Sequence, residues 1–131
     1  MPLTQDRNTS MKATDVLVIG LAASTKIFAG SLVMLNAAGF AVSGSTATGL
    51  TYAGRAEEFV DNTSGAAGAA RVAVRRNKAF KWTNDGSIVQ ANLLKSAYVV
   101  DDGTVAATDG GGTRSIAGRI VGIDSDGVWV E

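Results

Sequence analysis

The side chains of this 131-residue chain that could do chemistry are carboxylates, cations and hydroxyls, because histidine and cysteine are both absent. The commonest general base and metal ligand is therefore missing, as are a thiolate nucleophile and a disulfide frame. Glu57 and Glu58 are neighbours in a strand-like run. Alternation turns them to opposite faces, so a solvated edge with one salt bridge is expected, not an acid–base pair. Asp124-Ser125-Asp126-Gly127 looks like part of a calcium loop. It lacks the later ligands and the closing glutamate, and Asp-Gly is better explained as a hairpin turn. Phosphate-loop and G-x-S-x-G patterns are also absent. The residues thus lead us to expect no catalytic centre, no metal and no cofactor.

What remains is charge. Segment 71–81 carries Arg71, Arg75, Arg76, Lys78 and Lys81 with no acid among them. Nucleic-acid contact is one reading, helped by Phe80 and Trp82 nearby. The totals of 12 basic and 12 acidic residues oppose it, because general nucleic-acid binding needs surplus positive charge. A basic face meeting an acidic protein surface fits better. Asp101, Asp102, Asp109, Asp124, Asp126 and Glu131 lie in the C-terminal third, against only Arg114 and Arg119. A head-to-tail ring of subunits could join these two regions. A formal net charge of zero suits a protein packed against its own copies. Trp129, beside Asp124 and on the face opposite Val128 and Val130, either covers a second layer or anchors an interface. The candidate subunit or partner interface is Arg7, Lys12, Arg71, Arg75, Lys81 and Trp129.

These residues need a scaffold, and the chain has the length of one domain. Hydrophobic residues reach 46%, yet 16 glycines and only 6% aromatics imply a thin core. Residues 1–14 are polar and unpatterned, and we read them as an extended N-terminal arm held by a neighbouring subunit. An arm folded back on its own domain is the alternative. Residues 15–131 then form a single β-rich domain, a small sandwich or barrel of short antiparallel strands with one short helix. Expected strands are Val16–Leu21, Ser31–Leu35, Phe40–Val42, Leu50–Val60, Arg71–Arg75, Ala79–Trp82, Ala97–Asp101, Thr104–Ala107, Ile116–Asp124 and Val128–Glu131. Val16–Ile19 and Leu32–Leu35 are unbroken apolar runs, so both of their faces should be covered. Residues 43–49, 62–70 and 110–112 read as loops.

Opposed residues share a face, which proposes three hairpin registers. A two-residue Asp126-Gly127 loop sets Ile123 opposite Val130 and gathers Val121, Ile123, Val128 and Val130 on one face. Asp102-Gly103 sets Val100 opposite Val105. A three-residue Arg76-Asn77-Lys78 loop sets Val74 opposite Phe80 and Val72 opposite Trp82, leaving Arg71, Arg75 and Lys81 on a shared basic face. The helix is placed at Ile88–Lys95, where Ser87 and Gln90 have capping-box spacing and Ile88, Ala91 and Leu94 recur on one side.

The apolar run Val16–Ala23 is too short, and its flanks Asp6 and Asp15 too acidic, for a signal peptide, and no stretch approaches the ~20 apolar residues of a membrane helix. We therefore expect no cleaved leader and no membrane partner. The segments YAGRAEEFVDNTSGAAGAARVAVRRNKAFKW, SAYVVDDGTVAATD and IAGRIVGIDSDGVWVE resemble small capsid cement (head-decoration) proteins of tailed bacteriophages, especially Mu-like transposable ones. The resemblance covers residues 14–131 and leaves out the arm. It implies a β-sandwich or small barrel, usually a homotrimer, bound to the major capsid protein on the outer surface of the head and stabilising the expanded shell. It implies synthesis in the bacterial host cytoplasm, no catalytic residues, and no nucleic-acid or small-molecule partner. A tail-tube subunit would share the β-rich, cysteine-free character. A carbohydrate-binding module would need clustered surface aromatics, which the strand assignments place mostly in the core.

Overall fold

The computed structural model describes all 131 residues, and it is built from twelve short strands and one turn of 3-10 helix. The strands are β1 (Val16–Gly20), β2 (Thr25–Ile27), β3 (Leu32–Leu35), β4 (Ala41–Ser43), β5 (Thr51–Ala56), β6 (Val60–Asn62), β7 (Arg71–Arg75), β8 (Phe80–Asn84), β9 (Ser96–Val99), β10 (Thr104–Ala106), β11 (Ile116–Asp124) and β12 (Gly127–Val130). The expected all-β architecture takes both of its forms at once. A five-stranded sheet runs in the order β1-β7-β5-β3-β4, beside a closed barrel in the order β10-β8-β12-β11-β9. A small β2-β6 pair covers the sheet's far side. Residues 1–14 form no strand or helix and are exposed throughout.

Two apolar clusters hold the layers together. Trp82, Val99, Val105, Ile120, Val128 and Val130 fill the barrel, and Leu32 and Met34 from β3 join them from the sheet. On the sheet's other face Val33, Val72 and Val74 pack with Leu21 and Ile27. The alternation of β3 explains this: buried on both faces, it reads as the continuous run Leu-Val-Met-Leu. Asn62 locks the 62–70 loop onto this second core, its Nδ2 donating to the carbonyls of Ala22 (3.1 Å) and Ala66 (3.0 Å).

Five expectations are corrected. First, β7 and β8 do not form a hairpin. β7 pairs with β1 and β5, whereas β8 pairs with β12 and, in parallel, with β10. The Arg76–Ala79 connection therefore crosses from sheet to barrel. Second, Ile123 lies opposite Val128, with Ser125 and Asp126 as the loop. A bulge between Ile120 and Gly122 then buries Ile120 and leaves Val121 half-buried. Third, Val105 lies opposite Val99. Asp101 Oδ1 accepts a hydrogen bond from the Gly103 N–H (2.9 Å), which lengthens the loop by a residue and brings Val99 into the core. Fourth, the helix at 88–95 is only the 3-10 turn Gln90–Asn92. Ser87 Oγ is engaged by Asp85 (2.5 Å) and by the Ala107 N–H (2.9 Å), so it caps nothing; Ala91 and Leu94 are exposed. The long strand expected at 50–60 is likewise split at Glu57–Phe59 into β5 and β6.

The sheet meets the barrel at Tyr52 and Trp82, whose hydroxyl and indole N–H are both buried without a hydrogen-bond partner. Burial pushes the Tyr52 hydroxyl above its ordinary pKa, and the nearby indole N–H offsets only part of that. An unpartnered buried hydroxyl costs stability, so Tyr52→Phe is expected to leave stability unchanged or raise it by up to about 1 kcal/mol. Thermal melting checks this, and a clear fall in Tm would mean that the hydroxyl is partnered after all.

Candidate functional site: a basic cleft between sheet and barrel

Register places the cleft. Leu32, Arg55, Arg75 and Val16 are successive cross-strand partners in β3, β5, β7 and β1, so all four project to the barrel side of the sheet. The barrel covers Leu32 but not the β7–β1 end, which overhangs as a ledge. Where ledge and barrel wall meet there is a cleft of about 550 Å³, lined by Arg55, Arg75, Lys78, Phe80, Lys81 and Trp129 among others.

Each cation is held by a different device. Glu57 Oε1 bridges Arg55 Nη2 (2.9 Å) and Arg75 Nε (3.0 Å), and these two guanidinium groups hold its carboxyl below the ordinary range. Arg55 also lies over the Phe80 ring, 4.8 Å from its centroid. Lys81 Nζ pairs with Asp126 Oδ2 (2.9 Å) and sits 5.6 Å from the Trp129 ring. This ammonium lowers the Asp126 pKa in turn. Trp129 Nε1 donates to Asp124 Oδ2 (2.8 Å), which fixes the indole edge. Lys78 has no ion-pair partner. Four cations against Glu57 and Asp126 leave the cleft a surplus of two positive charges.

Of the six expected interface residues, Arg75, Lys81 and Trp129 line this cleft. Arg75 and Lys81 come together, although the hairpin that was to join them does not exist. Arg71 lies further along the same face of β7, opposite Gly20, and is exposed outside the cleft. Arg7 and Lys12 lie on the exposed arm and reach none of the others. The arm's root is nevertheless at the rim: Thr14 O accepts from Asn77 Nδ2 (3.4 Å) and Arg76 Nη1 (3.5 Å). Arg55 and Lys78 were missed as site residues. The signal for Arg55 was Gly54 within a strand pattern, which marks close approach of another backbone.

The arrangement can bind acidic groups, and its two carboxylates, Glu57 and Asp126, are each taken up by a cation. Glu57 makes two ion pairs instead of the one expected, and Glu58 Oε1 accepts from the Ala73 N–H (3.3 Å). Asp124 and Asp126, the supposed calcium-loop acids, are turned to Trp129 and Lys81. No three His, Cys, Asp or Glu side chains are grouped to hold a metal ion. Asp126, one of the C-terminal acids, compensates the basic segment within the chain through its pair with Lys81. No family model, curated protein or solved structure matches the chain.

Proposed function

We propose that this chain is a structural subunit that decorates the outer surface of a tailed-phage head. It works as a homotrimer, is not an enzyme, and docks its basic cleft on an acidic surface of the major capsid protein. The observation that carries the reading is the cleft itself: Arg55, Arg75, Lys78 and Lys81 brought together from sheet and barrel, with Trp129 as a half-exposed aromatic anchor. Its side chains are pre-ordered by ion pairs and ring contacts, which lowers the entropy lost on docking. Surplus positive charge at a concave surface steers an acidic partner and rejects a basic one. The resemblance of residues 14–131 to capsid cement proteins supplies the partner.

Reversing two charges tests this. Arg75→Glu with Lys81→Glu is expected to cut occupancy on undecorated heads at least tenfold at fixed protein concentration. Each position is partly exposed. Reversal also sets like charges against Glu57 and Asp126, so a modest loss of stability of about 1 kcal/mol is expected and occupancy is compared for the folded protein. Normal occupancy by the folded double variant would overturn the docking assignment, and recovery of the protein with tails instead of heads would overturn the capsid reading.

A further inference from the structure

The run Val16–Ile19 has the composition of a strand covered on both faces, yet the single chain covers only one. Leu17 and Ile19 turn inward, whereas Val18 is 60% exposed and Val16 37%. β1 is also an edge strand with β7 as its only strand-length partner, and only its far end, at Leu21, is bridged to Ala41 of β4. The Asp15 carbonyl accepts from the Arg76 N–H (2.8 Å), and the Leu21 N–H donates to the Ala70 carbonyl (2.9 Å). Antiparallel alternation between these two anchors gives the β7-facing groups to Leu17 and Ile19. The N–H and C=O groups of Val16 and Val18 therefore point outward with no strand beside them, whereas beyond Gly20 the edge is taken up by β4, where the Ala22 N–H donates to the Ala41 carbonyl (3.0 Å). Natural edges are usually blunted by lysine, proline or a bulge. β1, Val-Leu-Val-Ile-Gly, has none of these.

The same chain carries a segment in the complementary condition. Residues 1–14 are exposed along their whole length. The arm as a whole is polar, but Met11 and Ala13 stand two residues apart and so share one side of an extended chain, with Ser10, Lys12 and Thr14 on the other. The arm is not set to turn back on its own β1. Thr14 is held by Arg76 and Asn77 beside the start of β1, and no hydrogen bond ties residues 1–13 back to the domain. Fully extended, residues 9–14 span about 20 Å, enough to run alongside the β1 strand of an adjoining copy.

We propose that residues 9–14 of one copy add as a strand to the free edge of β1 in the next, with Met11 and Ala13 on the face of Val16 and Val18. Each copy gives an arm and receives one, a head-to-tail contact that closes into a ring of three under the reading above. The inference rests on self-association in that reading and not on capsid docking.

The test uses the free, full-length protein without capsids, so its failure would leave the docking assignment standing. The chain has no cysteine, which makes disulfide trapping free of background. In a chain carrying Met11→Cys and Val18→Cys, mild oxidation is expected to give covalent oligomers that stop at the trimer. Mixing single variants should link a Met11→Cys chain to a Val18→Cys chain. A monomer closed on itself would show that the arm folds back and would overturn the proposal. Efficient dimerisation of Val18→Cys alone would show edge-to-edge pairing of two β1 strands and would also overturn it, as would absence of any link. As a second measurement, Val18→Pro removes only an outward N–H, which an edge strand tolerates. It is expected to convert trimer to folded monomer in sedimentation, and an unchanged trimer would refute the strand addition.

Discussion

Gly54→Ala is expected to lower Tm by more than about 10 °C, corresponding to a loss of about 3 kcal/mol or more. Gly54 lies in β5 opposite Val33, where the β3–β5 register shifts. Its φ of +142° is one that other residues rarely adopt. A Cβ there would stand 2.1 Å from the carbonyl oxygen of Arg75. That obstacle is backbone, so it cannot rotate away, and β5 and β7 would have to part. Gly49 is the internal control, with φ +75° and no atom within 4 Å of the place a Cβ would occupy. Its replacement by alanine carries the conformational cost alone, about 1–2 kcal/mol. Equal melting of the two variants would show that β5 and β7 do not approach so closely. The same contact sets the cleft, because Arg55 follows Gly54 and lies opposite Arg75.

Trp82→Ala should be as damaging for a different reason. Trp82 projects from β8 into the larger apolar cluster and is only 5% exposed. Removing a buried aromatic costs about 3–5 kcal/mol, a large share of the roughly 5–15 kcal/mol that holds a typical domain together. For a chain of this length we expect Tm to fall by about 10–20 °C. Trp129→Ala removes a 37% exposed ring and should cost no more than about 1 kcal/mol, though it strips the ring contact from Lys81. Thermal melting followed by circular dichroism compares the two. If Trp129→Ala proved the more damaging, the assignment of barrel interior and cleft wall would be reversed.

Local pattern made much of this fold legible. β7 and β11 have the expected bounds, since Arg-Val-Ala-Val-Arg alternates cleanly and Ile116–Asp124 ends at a turn. The pairing of strands was far less legible. Val74 and Phe80 satisfy a hairpin register as well as they satisfy their true places, one in each apolar cluster. The decision belongs to β12, which claims β8 from more than forty residues away. Loop lengths failed where one side chain chose between near-equal turns, as Asp101 does through Gly103. The helix failed because Ser87 and Asn92 found other backbone partners, Ala107 and Val89. In the site, Arg75, Lys81 and Trp129 were legible as charge and as a ring on the outward face. Arg55 was not, because its membership depends on β5 lying beside β7.

The position of β12 has a consequence for the order in which the molecule can be built. Gly127–Val130 is the last strand in the chain, yet in the barrel it lies between β8 and β11. During synthesis, at about 5–20 residues per second, β8 through β11 must wait without the strand that joins them. The sheet strands are complete by Arg75, but their barrel-side residues Leu32, Met34 and Tyr52 stay uncovered until closure. Closure is therefore a late and highly non-local event, of the kind that makes β-topologies slow to fold. Throughout that interval the apolar edge of β1 is already present, so a crowded pool of nascent copies meets through the same strand before any of them has a finished barrel.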